Sequence, residues 1–111
     1  MMNLEQLNEN RVEEALILLA STDNQHAELE GEVKFLAEAV KQAKAHSFLL
    51  AEGTVAEREA KSQASVKTAE AVEIHTKAFV DFKKLDNQRN HEIRIIDIWR
   101  TLSSNRRQGN M

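Results

Sequence analysis

His26, His46, His75 and His91 are the side chains of this chain best suited to hold a metal or move a proton. A helical zinc site of the H-E-x-x-H type sets two histidines one turn apart with a carboxylate between them, and no pair here has that spacing. Glu73 and His75 are two residues apart, so on a helix they do not face the same way. A ferritin-like dimetal site needs Glu-x-x-His motifs projecting into a bundle core, and Glu70, Glu73 and His75 miss that spacing. Whether His46 and His75 meet depends on helix register. The histidines therefore read as structural or surface groups. Glu13, Glu14, Glu57 and Glu59 read as helix-start charges and i,i+4 partners. The chain has no phosphate-cradling glycine loop or nucleophile elbow, and it lacks Cys and Tyr. These tests point away from an enzyme and toward no metal and no cofactor.

The basic end carries the one remaining chemical signal. Residues 1–60 hold 5 Lys+Arg against 12 Asp+Glu, a net of −7, whereas residues 61–111 hold 10 against 6, a net of +4. Arg89, Arg94, Arg100, Arg106 and Arg107 dominate the last stretch, opposed by Glu92 and Asp97. Arginine beside an aromatic ring grips single-stranded nucleic acid by charge and stacking, and Trp99 supplies the ring. Trp99 has a second reading, as a core residue cuffed by arginines. Ile95 and Ile96, four and three residues before it, favour that core position. The polarity also suits antiparallel neutralisation within the fold, a charged partner, or head-to-tail self-association.

The elements that position these groups are helices. The 111 residues hold no proline, three glycines and only 5% aromatics, a composition of long helices and one domain over 1–111. A first helix is expected over about 4–19. Ser21-Thr22-Asp23-Asn24 then reads as a turn, because these residues favour caps over helix interiors. A second helix is expected over 25–52: Leu29, Val33, Leu36, Val40, Ala43, Ser47 and Leu50 alternate steps of four and three, the seam of a left-handed coiled coil. Gly31 inside it marks a close approach or a frayed start. Gly53 then fits a positive-φ position, and Thr54-x-x-Glu57 fits a capping box that starts a third helix over 55–103. Residues 104–111 read as a frayed tail, and Asp86-Asn87 as a kink.

The fold expected is all-α: a long antiparallel helical hairpin or coiled coil with a short N-terminal helix, oligomeric. Along the third helix a stripe runs through Ile74, Ala78, Phe82, Leu85, Arg89, Ile93, Ile96 and Trp99. This helix outruns the second by about 20 residues. Its overhang makes Ile93, Ile96 and Trp99 the expected oligomer contacts, since large apolar patches mark interfaces. The absence of cysteine excludes a disulfide scaffold, and no run reaches the 18–20 apolar residues that span a membrane. No signal peptide opens the chain, so a cytoplasmic location is expected.

Two blocks carry a resemblance: Ala51-Glu52-Gly53-Thr54-Val55-Ala56-Glu57-Arg58, and Ile98-Trp99-Arg100-Thr101-Leu102-Ser103-Ser104-Asn105-Arg106-Arg107-Gln108. The chain resembles, over about residues 40–108, small helical proteins of tailed bacteriophages that lie among recombination or replication genes. In size and helical layout, though in no residue motif, it is also similar to UvsY-type recombination mediators, which are helical oligomers that bind single-stranded DNA. The resemblance implies a homo-oligomer in the cytoplasm of a bacterial host, with single-stranded DNA as a partner. The coiled-coil seam supports a different function: an adaptor or inhibitor that binds a phage or host protein and no nucleic acid.

Overall fold

A computed structural model of the protein describes residues 7–109. Positions 4–6 of the first expected helix and 110–111 of the expected tail lie outside that range. The described residues form three helices and no strand: α1 (Glu9–Leu50), α2 (Val55–Ala64) and α3 (Val66–Gly109). No helix among them is long and apolar enough to cross a membrane.

α1 is preceded by Asn8, whose Oδ1 accepts from Arg11 N at 2.9 Å and satisfies one orphan donor of the first turn. It then passes through residues 21–24, where the sequence predicts a turn. Ser21 Oγ and Thr22 Oγ1 donate back to Leu18 O at 3.1 and 2.7 Å. The hydroxyls that would have capped a new helix are used inside the existing one. No glycine or proline interrupts, and one stripe continues across the segment. Val12, Ala15, Leu19, Thr22, His26, Leu29, Val33, Leu36, Val40, Ala43 and Ser47 alternate three and four and are all buried or half-buried. The predicted seam is therefore one part of a longer one, although Leu50 lies outside it, 71% exposed. Gly31 makes no close approach, since a Cβ there would meet nothing within 4 Å.

The third expected helix is two helices. Ser65, with ψ 148°, ends α2 and opens α3. Its N–H donates to Ser62 O at 3.4 Å, and its Oγ accepts from Thr68 N at 3.1 Å. A hydroxyl chain fixes the junction: Ser65 Oγ donates to Thr68 Oγ1 at 2.7 Å, and Thr68 Oγ1 donates to Ser62 O at 2.8 Å. Ser47 Oγ of α1 lies 2.9 Å from Ser65 Oγ. α3 then runs unbroken through Asp86-Asn87 and through the expected tail as far as Gly109.

The chain divides into two compact units, Met1–His26 with Lys84–Met111, and Ala27–Lys83. In the second unit the reversal between α1 and α2 is held from both sides. Thr54 caps α2, its hydroxyl accepting from Glu57 N at 3.2 Å. Gly53 takes φ +119°. Arg58 donates twice to Phe48 O, at 3.3 and 3.2 Å, with its guanidinium 4.3 Å from the Phe48 ring centroid. Lys61 Nζ donates to Glu52 O at 2.7 Å. Cations from α2 thus supply donors to Phe48 O in the last turn of α1 and to Glu52 O in the reversal itself.

In the first unit, Arg11 meets Glu92, Thr22 meets Arg89 and His26 meets Asp86. Partner numbers fall as α1 numbers rise, so here the two helices run in opposite senses. Leu7, Ala15 and Ile95 form its core, with Val12, Ile96, Trp99 and Leu102 packed against it. The expected overhang is absent, because α1 has 42 residues against 44 in α3. Ile95, Ile96 and Trp99 pack against the start of α1, the part of the stretch that a first helix folded back was expected to cover, whereas Ile93 and Ile98 stay exposed.

Gly53 gives a direct check on the reversal. A Cβ there would collide with the Glu57 carboxylate and would have to tolerate the positive φ. Gly53→Ala should lower stability by about 1–2 kcal/mol, the scale of that backbone penalty. Urea unfolding followed by circular dichroism measures it, and an unchanged midpoint would contradict the observed turn.

Candidate nucleic-acid interface

The predicted stripe on α3 steps by four twice in succession at two places, Ile74–Ala78–Phe82 and Leu85–Arg89–Ile93. Eight residues advance about 80° beyond two full turns, so Ile74 and Ile93 fall at opposite margins of that stripe. The buried or half-buried positions instead alternate three and four: Thr68, Ala71, His75, Ala78, Phe82, Leu85, Arg89, Glu92, Ile96, Trp99 and Ser103. Glu92 takes the place expected of Ile93, and His75 that of Ile74. Ile93 and Ile74 are 42% and 56% exposed, while Ile95 is 3% exposed.

This geometry separates the five candidate arginines. Arg89 lies on the seam and is held inside the first unit. Its Nη1 donates to Leu19 O and to Thr22 Oγ1, each at 2.8 Å, and its Nη2 pairs with Asp23 Oδ1 at 3.3 Å. Its planar fork reaches three acceptors that a lysine's point charge could not span together. Arg94, Arg100 and Arg107 are exposed and make no hydrogen bond or ion pair among the described residues. Arg100 and Arg107, seven apart, share a face of α3. Arg106 is also exposed, and its guanidinium lies 6.0 Å from the Trp99 ring centroid.

Of the expected oligomer contacts, Ile96 and Trp99 are half-buried and pack against Leu7, Ala15 and Ile95. Ile93 is free to meet another chain, together with Ile98 (also 42% exposed) and with Leu16 and Ile17 on α1. Trp99 sits between its two readings: its packing belongs to the core, while the rest of the ring lines an open cleft of about 460 Å³ with Leu7, Asn8, Glu9, Asn10 and Arg106.

Several partners were not readable from spacing. Arg11 Nη2 donates to both oxygens of the buried Glu92, at 2.9 and 2.6 Å, across 81 residues of sequence. His26 Nε2 lies 2.9 Å from Asp86 Oδ1. Within this unit, Arg89 pairs with an acidic group of α1, whereas Arg11–Glu92 runs the opposite way. Internal neutralisation therefore removes Arg89 from the basic end and leaves the later arginines exposed. His75 is half-buried, whereas His46 and His91 are exposed. Among the described residues no three His, Cys, Asp or Glu side chains gather as a metal site would require.

Comparison with family models, with curated proteins and with solved structures gives no significant match for this chain.

Arg89 and Arg94 should behave oppositely on truncation. Arg89→Ala deprives two half-buried acceptors of a charged donor and should cost about 1.5–3 kcal/mol. Arg94→Ala should leave the melting temperature unchanged. Thermal melts of the two variants compare them, and equal melting temperatures would show that Arg89 carries no structural load.

Proposed function

We propose that the chain is a non-enzymatic, oligomeric accessory protein of phage DNA recombination or replication that binds single-stranded DNA in the host cytoplasm. The observation that carries this reading is the end of α3, where Arg94, Arg100, Arg106 and Arg107 are exposed on the helix that carries Trp99, with Arg106 nearest the ring. Arg94, Arg100 and Arg107 engage no acid among the described residues, so they remain available to phosphate. Four cations make a weak site in one chain. A homo-oligomer repeats them on one tethered strand, and effective concentration raises the affinity without new contacts. The exposed Leu16, Ile17, Ile93 and Ile98 support such self-association, because their burial against a second copy removes apolar surface from water. The resemblance of the two sequence blocks to small phage proteins supplies the biological setting.

A second reading rests on a different observation. In the unit Ala27–Lys83, Phe35 is 73% exposed and Ile74 56% exposed. Apolar side chains of this size on a helical surface suit an antiparallel coiled-coil adaptor or inhibitor that engages a phage or host protein without nucleic acid.

Two measurements test the first reading. Binding of a labelled single-stranded oligonucleotide should weaken steeply with salt, because each phosphate contact releases counterions, and the double variant Arg106→Ala, Arg107→Ala should flatten that slope. An absence of binding at low ionic strength, or binding indifferent to the double variant, sinks the DNA reading. Light scattering should give a mass above that of one 12.6 kDa chain. Ile93→Glu should lower that mass while helicity is retained, and a monomeric wild-type protein would remove the oligomer from the proposal.

A further inference from the structure

Trp99 packs against Leu7, Ala15 and Ile95 and also lines the cleft, so core contacts hold this side chain in the absence of a ligand. A pre-ordered ring loses little conformational freedom on stacking. The guanidinium of Arg106, 6.0 Å from the ring centroid, is a planar group at the outer edge of cation–π distance. Asn8 and Asn10 line the same cleft. Asn8 uses its Oδ1 to cap α1, which leaves its amide N–H groups as donors, whereas Asn10 is exposed and offers a donor and an acceptor. The volume of about 460 Å³ falls within the range of small-molecule sites.

The charge of the lining selects the ligand class. Glu9 and Arg106 both line the cleft and balance each other. A phosphate there would meet the Glu9 carboxylate, whereas a neutral, flat heterocycle with donors and acceptors on its edge would meet a ring, a guanidinium plane and carboxamides. Phosphates are better served by Arg100 and Arg107, which share a face of α3 and line no part of the cleft.

Resting on the single-stranded DNA reading above, we propose that this cleft takes one unpaired nucleobase, stacked on Trp99 and covered by Arg106, with its edge toward Asn8, Asn10 and Glu9. The strand is thereby read as single: a paired base keeps its edge and faces inside the duplex.

The protein contains one tryptophan, so its emission reports on this cleft alone. Oligo-dT and an abasic oligonucleotide of equal length are titrated at low salt, with anisotropy of an end label giving affinity and tryptophan emission giving stacking. Oligo-dT should quench the emission, whereas the abasic strand should bind about tenfold more weakly, the scale of one base–aromatic stack, and leave the emission unchanged. Equal affinities with equal emission changes overturn the base cleft while leaving the phosphate contacts of the DNA reading standing. Failure of both strands to bind overturns the two together.

Discussion

A helix of more than forty residues buries a continuous stripe only if its inward positions keep one period throughout, and in α1 and α3 that period is the 3.5 residues of a left-handed supercoil. Proline is absent, so nothing forbids α1 or α3 from continuing. The alternation of three and four then fixes which side chains face inward. It turns Ile96 and Trp99 toward Leu7 and Ala15, with Ile95 buried beside that line, and leaves Ile93 and Ile98 outside. It also brings Arg89 and Glu92 inward, where an apolar residue would be the simpler choice.

Those inward charges shape the first unit more than its small core does. Glu92 with Arg11, Arg89 with Leu19, Thr22 and Asp23, and His26 with Asp86 each join α1 to α3 at a definite level. Buried ionic pairs contribute little net stability, because desolvation offsets much of the attraction. A shift of register, however, strands a charge in the seam. The cost of mispairing is thus larger than the gain of pairing, which is how polar layers specify alignment. No buried side-chain nitrogen or oxygen among the described residues lacks a partner. The second unit does the same with neutral groups, through Ser47, Ser62, Ser65 and Thr68.

Local signals were legible in the sequence wherever one residue type decides the backbone. Gly53 takes its positive φ, and Thr54 caps the helix that follows. Positions 29–47 of the seam were legible because only one spacing rule fits them. What was not legible depended on distant partners. Ser21 to Asn24 resemble a turn in isolation, but within α1 they meet Arg89, far away in sequence, which donates to Leu19 O, Thr22 Oγ1 and Asp23 Oδ1. Ser65 resembles its neighbours in an alanine-rich stretch, yet it divides two helices by bonding to Ser62 and Thr68. Isoleucines at 93, 95, 96 and 98 satisfy several stripes at once, and hydropathy does not choose among them. At the basic end, the number of arginines could be read but not which of them were already engaged. That division, with Arg89 inside and Arg100 and Arg107 outside, is what narrows the candidate interface.

The reversal after α1 has a consequence for the order of assembly. Its bonds join residues close in sequence: Arg58 reaches back ten residues to Phe48, Lys61 nine to Glu52, and Ser65 eighteen to Ser47. The contacts of the first unit join residues 60 to 81 apart. Closing a long loop from an open chain costs more entropy than closing a short one, and an already formed reversal shortens the loop left to close. The chain thus gains from folding outward from its middle. Leu7, Ile95 and Trp99 belong to the unit whose bonds span 60 to 81 residues, so their burial carries the larger closure cost.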